Sequence, residues 1–190
     1  MNAQSILNFV ATSATSNSGV ANLYAGNNGS IITLTDSTSG AYNLFGGLGN
    51  DILTGDIDAD VLEGGGGTDT LTGGGGNDTF TVTSGTDLIT DLATGDILLV
   101  LAGAVANASD ISNFVATSAT SNSGVANLYA GNNGSIITLT DSSNGAYNLV
   151  GGLGVDLLTG GIGGDTIDGK DGADTLAGGQ GSDTFYITSG

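Results

Sequence analysis

The chain has 190 residues and a formal charge of −18: 18 Asp and one Glu (Glu63) face one Lys (Lys170), with no Arg, His or Cys. Those absences exclude a Ser-His-Asp triad, a thiol nucleophile and an ordinary zinc site. They also exclude the basic patch that nucleic-acid binding needs. Internal ion pairs cannot neutralise such a chain, so packing its carboxylates together calls for a divalent cation whose binding free energy becomes folding free energy.

In chain order, residues 1–45 form a β segment free of any repeated acidic phrase. Ile6–Thr12, Val20–Ala25, Ser30–Thr35 and Ala41–Phe45 are rich in β-formers and read as strands. The run Gly26-Asn27-Asn28-Gly29 could close a hairpin, and an ion-free solenoid coil fits the same composition equally well. Phe9, Tyr24 and Tyr42 are expected in the core or at its rim. Asp36, Asp110 and Asp141, outside the repeats, fit a solvated acidic face. No stretch carries the caps and apolar stripe of a helix.

Residues 46–81 then repeat one nine-residue phrase: GGLGNDILT, GDIDADVLE, GGGGTDTLT, GGGGNDTFT. Each copy has Gly first, Asp sixth and a large apolar residue eighth. Gly suits crowded backbone and positive φ, so GGxG builds a tight turn. Such a turn aims main-chain carbonyls into one small space beside the sixth-position carboxylate. Ca²⁺ takes six to eight oxygens from carboxylates and carbonyls in flexible geometry, which suits that donor set. The last three residues form a short strand with its centre inward, so Leu53, Leu62, Leu71 and Phe80 are core candidates. Two turns make one coil, so alternate turns should stack. Asp56 and Asp58 stand at positions 2 and 4 of the second copy; Asp tolerates the left-handed region, so this turn is expected to survive as the weakest.

Residues 82–105 form a closing β segment, DLITDLATGDILL at its centre, with Asp87, Asp91 and Asp96 spaced along it. Its apolar run Ile97–Val105 is too short to span a bilayer and reads as a buried strand. At residue 106 the pattern restarts. Asn8–Ser37 is identical to Asn113–Ser142, so the chain is a tandem duplication with an offset of 105. Residues 106–150 repeat the β segment, and 151–186 repeat the block as GGLGVDLLT, GGIGGDTID, GKDGADTLA, GGQGSDTFY. Here Lys170 and Asp171 fill positions 2 and 3 of the third copy, and Leu158, Ile167, Leu176 and Phe185 are the core candidates. A Phe ending each block suggests a larger plug at the end of a roll. Residues 187–190 are a truncated end, and Thr86–Val105 has no counterpart in the second unit.

Eight copies of G-G-x-G-x-D-x-U-x, in two unbroken runs of four, resemble the RTX (repeats-in-toxin) calcium-binding nonapeptide proteins of bacteria. The resemblance implies an all-β fold of calcium-bound parallel β-roll blocks, alternating here with the other β segments. In that family each ion lies between stacked turns. Carried over, the carboxylate pairs are Asp51 with Asp69, Asp60 with Asp78, Asp156 with Asp174, and Asp165 with Asp183. Backbone carbonyls of Gly47, Gly49, Gly65, Gly67, Gly74, Gly76, Gly152, Gly154, Gly161, Gly163, Gly172, Gly179 and Gly181 would complete the donor sets. Asp58 and Asp171 are secondary candidates. The 82–105 stretch is similar to the closing segment after RTX blocks, where Asp87, Asp91 and Asp96 would help bind or cap the last turn; a solvated strand end fits equally.

The expected function is an extracellular calcium-binding structural repeat protein, in a surface layer, adhesin or head-to-tail filament, with no enzymatic activity. Self-association is the expected partnership, with cell-surface or glycan partners possible, and no nucleic acid or membrane span. Extracellular calcium and the absence of an N-terminal signal pattern are compatible with type 1 secretion. The alternative is a C-terminal calcium-dependent folding and secretion module of a larger secreted enzyme or toxin. Ice binding would favour a flat Thr/Asn row at the outward turn positions, and Leu48/Asn50, Ile57/Ala59, Gly66/Thr68 and Gly75/Asn77 form none.

Overall fold

The computed structural model describes residues 2–12, 15–35 and 37–187; Asp36 and residues 188–190, most of the expected end segment 187–190, lie outside the described residues. Within them the only regular elements are 21 strands, most of three residues, with no helix. The strands pair in parallel, each with the strand about one coil away, which makes a β-solenoid.

Successive strands alternate between the ten-stranded sheet and the sheets opposite it, except that Asn113–Val115 and Ser121–Asn122 follow one another on the opposite side. One wall is a ten-stranded sheet running from Asn8–Val10 to Thr184–Tyr186. The other begins as a seven-stranded sheet from Asn2–Ile6 to Ser121–Asn122. It passes to a four-stranded sheet running from Asn113–Val115 to Thr175–Ala177. Inside the first block the register is 18 residues, two nine-residue phrases: Leu53 pairs with Leu71, and Leu62 with Phe80. A three-residue strand has one inward position, and the apolar eighth residue occupies it. Leu53, Leu62, Leu71, Phe80, Leu158 and Ile167 are fully buried, each worth roughly 1.5–3 kcal/mol of apolar burial.

Residues 2–45 continue the same solenoid on longer coils of 20 to 23 residues, as the pairs Asn2–Asn22, Asn8–Ile31, Val20–Ala41 and Ile31–Ile52 show. Of the two readings of Gly26–Gly29, the hairpin is therefore overturned. Val20–Ala25 and Ile31–Thr33 lie in opposite walls, and the glycines between them form a coil corner. The reason is burial: in opposite walls Leu23 and Ile32 both face the shared core, 5% and 0% exposed. The expected strand at Ile6–Thr12 is split by a corner at the exposed Leu7 into Asn2–Ile6 and Asn8–Val10. The run from Ile97 likewise breaks after Val100, and a new strand starts at Val105.

The aromatic residues sort by face. Tyr42 is buried with its hydroxyl 3.0 Å from Ser37 Oγ, a pair repeated by Tyr147 and Ser142 at 2.7 Å. Phe9 is half-buried against the core, and Tyr24 stacks outside it on Phe45 with ring centroids 4.8 Å apart. Asp110 and Asp141 are exposed, as a solvated face requires.

Eleven strands, Asn2–Ile6 to Ile97–Val100, precede the strand Val105–Ile111 that opens the second unit. Because that number is odd, equivalent strands of the two units fall in opposite walls. Val20–Ala25 lies in the seven-stranded sheet, and its duplicate Val125–Ala130 in the ten-stranded one. The second unit is turned by half a coil about the roll axis.

Phe80 is not a terminal plug. The closing segment adds another coil over it, with Leu98 paired to Phe80. Phe185, its duplicate, is 45% exposed in the last described strand. Phe80→Ala should therefore cost about 3–5 kcal/mol in a calcium-saturated melt, and Phe185→Ala under about 1 kcal/mol; equal losses would contradict this packing.

Candidate metal centres

The sixth-position aspartates form two hydrogen-bonded ladders along the first block. After the first coil, each carboxylate Oδ1 accepts the main-chain N–H of the aspartate one coil earlier. Asp51 donates to Asp69 at 2.8 Å and Asp69 to Asp87 at 3.1 Å; Asp60 donates to Asp78, and Asp78 to Asp96, both at 2.8 Å. In the second block Asp156 donates to Asp174, and Asp165 to Asp183, both at 2.9 Å. The four carried-over pairs thus lie on stacked turns. Oδ2 faces inward on its own turn, accepting from Gly47 for Asp51, Asp56 for Asp60, Gly152 for Asp156 and Gly161 for Asp165, at 2.8–2.9 Å.

The closing segment extends both ladders. Asp87 is fully buried and Asp96 is 3% exposed, at the ladder positions after Asp69 and Asp78. Asp91 clamps the N–H groups of Gly73 and Gly74 at 2.9 and 2.8 Å. All three engage the block, so they are not a solvated strand end. The signal is in the sequence: aspartates stay nine residues apart from Asp51 through Asp96 after the glycine phrase has stopped.

The glycine turns come in two conformations. Gly65, Gly67, Gly74, Gly76, Gly172, Gly179 and Gly181 have positive φ, whereas Gly47, Gly49, Gly152, Gly154, Gly161 and Gly163 do not. The first coil of each block thus turns differently from the second. Asp56 and Asp58 sit in a first coil and need no left-handed backbone, so the expected strain there is absent. Lys170 does pay it, at φ 63°, and its ammonium pairs with Asp168 at 2.8 Å.

The first-position glycines supply what spacing alone did not reveal. A Cβ on Gly46, Gly55, Gly151 or Gly160 would strike the carbonyl of Gly64, Gly73, Gly169 or Gly178 on the next coil. It would also meet the Oδ2 of Asp51, Asp60, Asp156 or Asp165 on its own turn. Carbonyl and carboxylate oxygens therefore converge on each of these cradles. By contrast, the carbonyls of Gly47, Gly67, Gly152 and Gly161 already accept main-chain bonds from Gly66, Thr86, Asp171 and Gln180, and Gly65 takes Ser84 Oγ. Asp58 turns away from the cradles, its Oδ2 accepting the Gly40 N–H at 2.7 Å. Asp171 is exposed, and Asp174 and Asp183 are half-buried near the last described coil.

Nine aspartates of the described residues, Asp51, Asp56, Asp60, Asp69, Asp78, Asp87, Asp96, Asp156 and Asp165, are at most 3% exposed. Burial pushes Asp60 up to about 6 and Asp78 up to about 7. Burial, then the charge on Asp69, takes Asp87 to about 7. Asp69, Asp96 and Asp165 are raised too, burial again leading. Oδ2 of Asp69 and of Asp87 are both buried without a hydrogen-bond partner, and both abut the point a Cβ on Gly64 would fill. Oδ1 of Asp51 is also unpartnered. Buried, unpartnered anions at this density are costly unless a cation joins them.

Among the described residues no three acidic side chains gather at one point. The oxygen supply is carboxylates from stacked turns plus main-chain carbonyls, hard donors that fit Ca²⁺ and not a thiolate or imidazole metal. No helix of the described residues is long and apolar enough to cross a membrane.

The RTX calcium-binding nonapeptide repeat matches the chain at residues 45–80, 54–89 and 150–185, the second span running through Asp87. No curated protein and no solved structure matches it.

Proposed function

From the premise that this chain carries RTX calcium-binding nonapeptide repeats wound into a parallel β-roll, we propose that it is an extracellular structural protein folded by calcium. The observation that carries this reading is the pair of stacked carboxylate ladders, buried in a chain whose one cation is engaged at the surface by Asp168. Calcium joins Asp51 to Asp69, Asp60 to Asp78, Asp156 to Asp174 and Asp165 to Asp183, with the first-position glycine carbonyls as further donors. Sites of this class fill where calcium is near millimolar, outside the cell. RTX proteins typically leave through type 1 secretion, and the same route is proposed here. A chain with no His, Cys or Arg suits a scaffold better than a catalyst.

Assembly belongs to the same proposal. Asn2–Ile6 and Thr184–Tyr186 are the outer strands of parallel sheets, and such edges accept another strand. An apolar cavity of about 380 Å³, lined partly by Ile6, Leu7, Phe9 and Tyr42, opens beside the first. Phe185 and Tyr186 are exposed beside the second. A second copy of the chain docking there makes a head-to-tail, heterologous contact that extends into a filament or layer. Sedimentation and negative-stain microscopy in millimolar calcium should show assemblies that a chelator disperses. Monomers at every calcium concentration would instead favour the reading as a folding and export module of a larger secreted protein.

A further inference from the structure

Asp56 departs from the repeat in a way the ladders do not use. It stands at a position that is glycine in every other copy except the Lys170 one, yet it is 3% exposed. Its Oδ1 accepts the Asp58 N–H at 2.9 Å, while its Oδ2 is buried without a hydrogen-bond partner. The second unit shows where such a side chain leads. There the residue is Gly161, and a Cβ on it would stand 2.9 Å from the carbonyl oxygen of Leu139, the duplicate of Leu34.

The two neighbourhoods share the main-chain bonds that fix this turn. Leu34 N–H to Thr54 O and Leu139 N–H to Thr159 O are both 2.9 Å. The bonds from residues 56 and 161 to the Oδ2 of Asp60 and Asp165 are both 2.8 Å. Asp56 therefore leaves its turn toward the Leu34 carbonyl, which accepts the Ser37 N–H at 2.7 Å and keeps a second lone pair for a cation, on the corner between Ile31–Thr33 and Ala41–Phe45. That corner belongs to the longer coils, which carry no nonapeptide. Asp60 is immediately behind, its Oδ1 held by the Tyr42 N–H at 2.7 Å.

We propose that Asp56 creates one additional calcium position, peculiar to the first unit, at the seam between the repeat block and the preceding coil. Its donors are Asp56 Oδ2, the Leu34 carbonyl and the Asp60 carboxylate, with water completing the shell. The buried, unpartnered oxygen beside a carbonyl is the arrangement a hard divalent cation resolves. The two units, near-identical upstream, thus differ in ion count, and the extra ion ties the ion-free coils to the block.

This assignment rests on the calcium reading of the repeats, and the test separates them. Bound calcium is counted by native mass spectrometry and isothermal titration for the full chain, D56G, D56N and G161D, with circular dichroism confirming the fold. D56G, which restores the residue of the second unit, and D56N should each bind one ion fewer than the unaltered chain, and G161D one more. A purely hydrogen-bonding Asp56 would be replaced by the amide of D56N, so unchanged counts in D56G and D56N overturn the assignment alone. No calcium bound by the unaltered chain overturns the reading beneath it.

Discussion

Chelating calcium at neutral pH is expected to erase the β-sheet signal of this chain in far-ultraviolet circular dichroism, and millimolar calcium to return it. Nine aspartates at most 3% exposed are tolerable only while their charge is shared with a cation or cancelled by a proton. The pH dependence follows with a definite sign. Asp60, Asp78 and Asp87 are pushed up to about 6, 7 and 7 in the fold, against roughly 3.9 for a free aspartate. The folded state therefore binds more protons than the unfolded one. Its stability from these groups is complete below about pH 4 and lost as pH rises through 6 to 7. In chelator, acidification should thus restore structure. In calcium the trend reverses, because protons compete with the ion for the same oxygens. An unchanged spectrum in chelator at neutral pH would remove the basis of the functional reading.

Gly64→Ala should cost about 3 kcal/mol or more and lower the calcium count, while Gly66→Ala, two residues away, should be neutral or stabilising by about 0.4–1 kcal/mol. Neither glycine has positive φ, so backbone strain does not separate them. Space does. A methyl on Gly64 would enter the point shared by the unpartnered Oδ2 atoms of Asp69 and Asp87, the latter 2.8 Å away. A methyl on Gly66 would meet nothing nearer than Ser84 Oγ at 3.5 Å. Melting curves in calcium and titration calorimetry on both variants decide the matter, and similar behaviour of the pair would contradict the cradle.

What was legible in the amino acids was whatever repeats at a fixed interval. Nine-residue spacing gives the 18-residue register, the inward Leu53, Leu62 and Leu71, and the stacked aspartate pairs. Asp87 and Asp96 were equally legible from their spacing, but the missing glycines masked them as block members. Other features depend on what lies one coil away. Gly26–Gly29 has the same turn chemistry whether the chain reverses in one sheet or crosses to the other, so its neighbours alone cannot choose. The letters GGxG also hide two conformations, as Gly47 and Gly65 show. The use of the Gly64 and Gly73 carbonyls appears only once the next coil is laid on top.

The odd number of strands per unit has a consequence for anything this protein displays. Equivalent strands of its two units lie in different sheets, so an array repeating that arrangement would be a ribbon with equivalent faces front and back. A patch such as the Tyr24–Phe45 stack points one way in the first unit, and its diverged duplicate, Tyr129 with Val150, points the opposite way. An even count would have aligned every copy into one adhesive plane; this count builds a strap that can be gripped from both sides.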